Sequence, residues 1–345
     1  MVMGKNNQRN IQTEEFFILK SPKERIKFLL QFAILAPSTH NSQPWLFNID
    51  DSSCEIYYDP KLIIPMADPE QRDLHISIGC AAQNLVSAAK VYGVFDSVSV
   101  GPFSNKTHLI TICFKNLLKQ QETIATKKLL NIQNRINARG LFKEELVPPE
   151  LLETLRTTAD KNNVYISFIN EKKGVEEIAR LTGKGIKLAY AQKDFRKEMS
   201  SWMHNSLTNK KTGLPGYALK MPFMLSFILP TLVRFVNIGK KLAQLNAISI
   251  KSAPTVAILS ASENTPQSWL RIGVAAEKMM LDVHESGYNT SIFVASIEIG
   301  DTYRAVQKIA GIENRPQFIF VIGKIDSRHK PTPRIALEEK IIKTT

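Results

Sequence analysis

Hydrophobic and polar positions along this chain sort into alternating helical and strand-like stretches from about residue 20 onward. Ser21-Pro22-Lys23-Glu24 reads as a capping box with proline at the first helical position, so a helix is predicted to begin there. Apolar residues crowd from Ile26 to Ala36, and Pro37 ends the helix because the residue before a proline is driven toward extended backbone. Residues 38–44 follow as a loop, and 45–49 with 54–58 alternate like the two strands of a hairpin. A long helix is predicted over 73–92, with Gly93 just past its end, where a left-handed residue commonly stops a helix. Strands are expected over 97–100 and 108–114.

The pattern turns polar around 115–126, which marks a candidate boundary. Helices are predicted near 127–137 and 149–161, a strand at 164–169, and a long helix over 174–206, interrupted, if anywhere, at Gly183-Lys184-Gly185. Near the end come a strand at 255–260, a helix opened by Thr265-Pro266 and closed by Gly287, and strand, short helix and strand at 291–294, 301–310 and 317–322. Two of these helices echo one another. Ile78-Gly79-Cys80-Ala81-Ala82 and Ile272-Gly273-Val274-Ala275-Ala276 share the pattern I-G-x-A-A, and each glycine is followed fourteen residues later by another, Gly93 or Gly287. A repeat of this kind is the trace a tandem duplication leaves.

Composition adds bounds. With 345 residues, 43% of them hydrophobic and 22% charged, the chain is ordinary globular material, long enough for about two domains. The three cysteines, Cys54, Cys80 and Cys113, are widely spaced with no CxxC, which fits a reducing, cytoplasmic setting better than a disulfide framework. The start of the chain is polar, without the apolar stretch of a signal peptide. The formal charge of +13 favours acidic partners in general, but the densest basic clusters are only pairs, such as Lys210-Lys211 and Lys240-Lys241. No nucleic-acid-binding signature accompanies them, so a nucleic-acid partner is not expected. Nor do G-x-S-x-G, H-E-x-x-H or zinc-type cysteine–histidine spacings occur, so no metal is expected. Gly183-Lys184-Gly185 lacks the third glycine of a dinucleotide fingerprint.

Pro37-Ser38-Thr39-His40-Asn41-Ser42-Gln43-Pro44-Trp45 resembles the nitroreductase family motif P-S-x-x-N-x-Q-P-W, with every named position present. Gln83-Asn84-Leu85, Ser252 to Ile258 and Thr332-Pro333-Arg334 resemble further parts of that family: its core helix, the strand before it, and its basic C-terminal segment. The likeness covers most of the chain beyond residue 20. Ordinary members are shorter and pair as intertwined homodimers with FMN at the subunit boundary. This chain is closer to the Acg-like branch, in which two degenerate copies share one polypeptide. The resemblance therefore implies an α+β fold: a nitroreductase-like α/β/α sandwich with mixed, mainly antiparallel sheets, duplicated in tandem as an intrachain pseudo-dimer. Its halves are expected at 1–120 and 121–345, and the whole as a monomer or a weak homo-oligomer. The family's arginine-rich opening run is missing before Pro37. Arg135-Ile136-Asn137-Ala138-Arg139 resembles it instead, so one complete set of parts is split between the halves and one FMN is expected.

That cofactor makes chemical demands. Its phosphate suits arginine forks. Arg135 and Arg139 share a face if their stretch is helical, and Arg334 can converge from the tail; the alternative is a solvated helix face and a frayed end. The ring suits polar groups such as Ser38, His40, Asn41 and Gln43 on a loop pinned by Pro37 and Pro44, although such residues also cap helices and turns. Because the flavin carries the chemistry, no catalytic side chain is required. The resemblance implies NADH or NADPH as reductant and a small oxidised molecule, a nitro compound or a quinone, as acceptor; the other reading is an FMN-sequestering protein without turnover. Arg72 either meets an anionic substrate or the cofactor phosphate, or, the plainer reading, pairs with Asp68 or Asp73. The apolar stretch 217–238, within an insertion at about 213–247, is interrupted by Lys220, Arg234 and prolines, so stable membrane insertion is not expected. It is read first as a lid bringing Phe223 and Phe227 near substrate, with a membrane-touching patch or a core hairpin as alternatives.

Overall fold

The computed structural model describes residues 8–101, 107–118, 126–326 and 330–343. The first half opens with α1 (Glu15–Ile18) and α2 (Pro22–Ala33), the latter starting at the predicted box: Ser21 Oγ accepts from Glu24 N while the Glu24 carboxylate accepts from Ser21 N. The hairpin β1 (Trp45–Ile49) and β2 (Ser53–Tyr58) follows, then the long helix α3 (Arg72–Val91), β3 (Phe95–Val100), β4 (His108–Phe114) and α4 (Thr126–Asn134). The second half runs α5 (Pro149–Lys161), β5 (Tyr165–Ile169), α6 (Lys172–Ala191), α7 (Lys193–Trp202), the short pair β6 (Met203–His204) and β7 (Leu214–Pro215), then α8 (Leu225–Phe235) and α9 (Gly239–Ser252). It closes with β8 (Thr255–Ser260), α10 (Pro266–Glu285), β9 (Asn289–Ile292), α11 (Ala295–Glu298), α12 (Thr302–Ala310) and β10 (Pro316–Gly323).

Each half carries a four-stranded, wholly antiparallel sheet, ordered β1-β2-β4-β3 in the first and β5-β8-β10-β9 in the second. Counted within its own half, each order is first-second-fourth-third, with the long helix, α3 or α10, between the second and third strands. The repeated I-G-x-A-A segments thus lie on equivalent helices. They also meet. A Cβ on Gly79 would stand 2.3 Å from the Leu270 carbonyl oxygen, and one on Gly273 would stand 2.1 Å from that of Ile76. The contact is reciprocal, each glycine facing the carbonyl three residues before the other, as a twofold relation between the copies requires.

Around this crossing lies the largest core, built from α2, α3 and α10 with inward residues of both sheets, among them Trp45, Phe47, Leu259 and Phe320. The second sheet has a further core on its opposite face, where Val256, Ile258, Ile319 and Val321 meet α6 and α12. Every residue of β8 and β10 is buried, as a strand covered on both faces must be. That half is the three-layered sandwich. The halves also exchange ends. The Lys340 carbonyl accepts from Phe47 N at 2.8 Å, laying the C-terminal tail along β1, while Ala138 N donates to the Thr290 carbonyl at 2.8 Å on β9. The tail after 330 therefore packs on the first half, and the boundary expected at 120/121 lies outside the described residues.

Two predicted elements differ. The helix expected to 137 stops at Asn134, and residues 135–139 leave it as irregular backbone pinned by a bridge between Asn137 and Thr290. The long helix after 174 breaks at Gln192 (ψ 126°), not at Gly183–Gly185. Gly185 stays helical because its bare flank admits the Ala295 carbonyl oxygen, which would sit 1.9 Å from a Cβ. The break is held by Arg196, whose Nη1 donates to the Tyr190 and Ala191 carbonyls at 2.8 and 3.1 Å, satisfying oxygens that the helix end leaves bare.

Replacing Gly79 by valine is expected to cost about 3 kcal/mol or more, since backbone on the facing helix must move. Gly287→Ala, with nothing within 4 Å of its Cβ, meets only left-handed strain (φ 79°) and should cost about 1 kcal/mol. Urea unfolding midpoints compare the two, and equal shifts would remove the close crossing from its central role.

Candidate functional site

Between the halves opens a cavity of about 260 Å³. Its floor is one face of α3, with Asp73, Ile76, Ser77 and Cys80 at the i, i+3, i+4, i+7 spacing of a single helical stripe. Leu214 and Ala218 form part of one wall. Of the residues singled out in the sequence, Pro37, Ser38, His40, Asn41, Arg135, Asn137, Arg139 and Arg334 all line it. Arg135, Asn137 and Arg139 do so although their stretch is not helical.

Charge distinguishes the cavity. Arg9, Arg135, Arg139 and Arg334 reach it from the N-terminal segment, the inter-half link and the tail, whereas Asp73 is the one carboxylate among the described lining residues. Arg135 is buried, and its Nε donates to Glu277 Oε1 at 3.1 Å, on α10. Burial pushes the Glu277 carboxyl up, against the pull of Arg135. Burial, followed by the neighbouring Arg135, draws Arg9 down to about 10. Burial, with Arg9 and Arg135 beside it, holds Arg334 well below its usual range. Arg135 Nη1 and Arg334 Nε are buried donors with no hydrogen-bond partner among the described residues. A concentration of buried cations with unused donors is what an anionic ligand completes.

The loop that carries the motif is strained. His40, Asn41 and Gln43 take φ of 51°, 54° and 54°, left-handed values that non-glycine residues seldom adopt. Hydrogen bonds hold it there. Ser38 Oγ accepts from Gln43 N at 2.9 Å. Gln43 is fully buried and does not line the cavity: its Nε2 donates to the Lys211 carbonyl at 2.7 Å and its Oε1 accepts from Ile335 N at 2.8 Å. Asn41 Nδ2 donates to the Lys211, Gly213 and Pro333 carbonyls, and Asn41 Oδ1 accepts from Arg334 Nη1 at 2.9 Å. The two amides expected at a ring edge thus tether the 211–213 segment and the tail to the first half. Arg334 Nη2 meanwhile donates to the Leu35 and Ala36 carbonyls beyond the end of α2.

Arg72 is buried and makes the ion pair with Asp73 (3.8 Å) that is one of its sequence readings, with Glu298 (3.4 Å) as a further partner; it does not line the cavity. Asp73 Oδ2 in turn accepts from Thr39 Oγ1 at 3.1 Å. Phe223 and Phe227 are exposed, 5.3 Å apart edge to face, and also outside the cavity lining. It is Leu214 and Ala218, earlier in the insertion, that reach the cavity. Arg9, Lys330 and the α3 stripe also line the cavity, and none of them is among the residues that the motif points to. The stripe was legible as Asp73, Ile76, Ser77 and Cys80 at helical spacing, but a lone Arg9 in a polar N-terminal segment carried no signal.

The cavity thus lies between two four-stranded sheets of the same order, floored by a central helix and lined by four arginines. No protein-family model matches the chain. It is similar to acg of Mycobacterium tuberculosis, provisionally named an NAD(P)H nitroreductase: 24% identical over 332 residues, 91% of this chain and 94% of that protein. A second M. tuberculosis protein with the same provisional activity name is 23% identical over 314 residues, 90% of this chain and 88% of its own length. Among solved structures, the chain is similar to the FMN-dependent nitroreductase NfnB from Mycobacterium smegmatis in complex with NADPH. Their TM-score is 0.40 and identity 16%, covering 64% of this chain and 99% of that one. The resemblance to the nitroreductase family, and within it to the Acg-like branch, holds along nearly the whole chain.

His40 gives the site a pH signature. Its Nδ1 is buried without a partner among the described residues, and burial lowers the imidazole from 6.5 to about 4. An imidazole kept neutral in the fold contributes stability that is complete above about pH 6.5 and lost as pH falls toward 4, where the unfolded chain takes up the proton first. On going from about pH 7 to 4.5, the protein should lose more stability than His40→Gln does, as read by urea unfolding. Parallel curves would mean that His40 is not held neutral.

Proposed function

We propose that this chain is an FMN-dependent oxidoreductase of the nitroreductase kind, holding one FMN in the cavity between its halves. Reducing equivalents would come from NADH or NADPH and leave on an oxidised small molecule such as a nitro compound or a quinone. The observation that carries this reading is the convergence of Arg9, Arg135, Arg139 and Arg334 on a cavity with a single lining carboxylate among the described residues. A phosphate offers the acceptors that the buried Arg135 Nη1 and Arg334 Nε lack. Glu277 orients Arg135 from beneath, through the 3.1 Å pair.

A bound flavin supplies hydride acceptance and donation, which is why the chain needs no nucleophile or general base of its own. The protein's part is to bind, orient and exclude. Ser38, His40 and Asn41 form a wall whose strained backbone is fixed by hydrogen bonds, and a rigid wall positions a planar ligand without further ordering cost. His40, kept neutral by burial, offers that wall an uncharged imidazole. One cofactor rather than two follows from the single copy of the motif and the single arginine cluster. The halves then supply within one chain what two subunits supply in a dimer.

A second reading has an observation of its own. Asn41 and Gln43 tie the 211–213 segment down through the Lys211 and Gly213 carbonyls, and the wall at Leu214 and Ala218 follows directly. If that wall stays shut, the protein holds FMN without turning over. Reduction separates the readings.

Protein purified with FMN should be yellow at about one flavin per chain and bleach on anaerobic addition of NADPH or NADH. Colour without bleaching selects the holding function, and failure to take up FMN removes both. Arg135→Ala should weaken FMN retention at least about tenfold, the loss of one or two charge-assisted bonds. Arg139→Gln, which leaves the Arg135–Glu277 pair in place, should weaken it without disturbing the fold. Unchanged flavin occupancy in both variants would remove the phosphate assignment.

A further inference from the structure

From Met199 to Ser262 the chain contains no aspartate or glutamate, yet seven lysines and arginines. Within this stretch α8 packs against α7 through Ser226, Leu229 and Val233, an i, i+3, i+7 face that is buried. Its opposite face is also apolar. Met224, Phe227, Ile228 and Phe235, spaced i, i+3, i+4 and i+11, are 76%, 43%, 59% and 72% exposed. Phe223 leans edge-on against Phe227, extending the stripe. On α9, Leu245 and Ile248 are exposed beside Lys241 and Lys251. Single exposed apolar residues are ordinary, but a contiguous stripe marks a surface that something covers. A helix apolar on two opposite faces calls for apolar surroundings on both.

Charge selects what covers it. A second copy of the chain would bring the same cations and the same lack of acids to a self-complementary contact, and like charges across an interface oppose it. An anionic lipid surface satisfies both features, taking the aromatic stripe at its acyl boundary and the cations at its headgroups. No helix among the described residues is long and apolar enough to cross a membrane, so the contact is peripheral. We propose that the outward face of α8, with Arg234 in its last turn and Lys240 and Lys241 in the first turn of α9, docks this protein reversibly on an anionic bilayer. Arg234 lies 5.7 Å from the Phe235 ring centroid, so cation and aromatic enter the interface together.

The test is co-sedimentation of the full chain with phosphatidylcholine vesicles, with and without about 30 mol% phosphatidylserine, in parallel with light scattering of the free protein. Binding should be at least about tenfold stronger to the anionic vesicles and should fall with salt. Phe227→Asp combined with Ile228→Asp should abolish it with an unchanged melting curve, since both side chains point away from the core. Charge reversal at Arg234, Lys240 and Lys241 should weaken it about tenfold or more. Equal binding to both vesicles, no binding to either, or aspartate variants that bind like the parent would each overturn the proposal. So would a concentration-dependent dimer that the aspartate variants dissolve, which would assign the stripe to a second copy.

Discussion

The close crossing of α3 and α10 at Gly79 and Gly273 is the constraint on which the rest of the structure depends. With no side chain at either position, each helix can lean on backbone three residues before the other's glycine, and Cys80 Sγ lies 3.3 Å from the Gly273 carbonyl. This closeness fuses two sheets of identical order into one body with a shared core. It also aims the working faces. The α3 stripe from Asp73 to Cys80 becomes the cavity floor, and Glu277, four residues past Gly273 on α10, comes within reach of Arg135. A wider separation of the helices would part the arginine from its carboxylate and open the floor.

Electrostatics then complete the site at a cost to the fold. Several guanidinium groups held out of water beside one another repel, and Glu277 alone offsets little of that. On the proposed reading, an anion bound there would offset that repulsion and so would stabilise the fold. The strained 40–43 loop follows the same logic. Its left-handed residues persist because the Asn41 and Gln43 amides are bonded to two separate segments, 211–213 and the tail at 333–335. One motif thus closes the structure and shapes the cavity at once.

The insertion divides its labour along its length. Its first residues, near Leu214 and Ala218, face the cavity, while the helix after them turns one apolar face to the core and the other outward. Phe223 and Phe227 lie on the surface side of that division.

Much of this was written locally in the sequence. Capping boxes at Ser21 and Thr265, glycines closing the two long helices, and period-two strands fixed the element order, because each is a short-range preference of the backbone. The I-G-x-A-A echo and the single loop motif together announced a duplicated fold with one unequal site. Tertiary structure decided what short-range preference does not encode. It took residues 135–139 out of the helix by pairing Asn137 with Thr290, made Gln43 a tether between segments, and gave Arg72 a second partner, Glu298, beside Asp73. It also brought Arg9 to Arg135, whose backbone carbonyl its Nη1 meets at 2.9 Å across 126 positions of chain. A residue's type says which bonds it is able to make; only the packed fold, which sets who is near whom, decides which of them it makes.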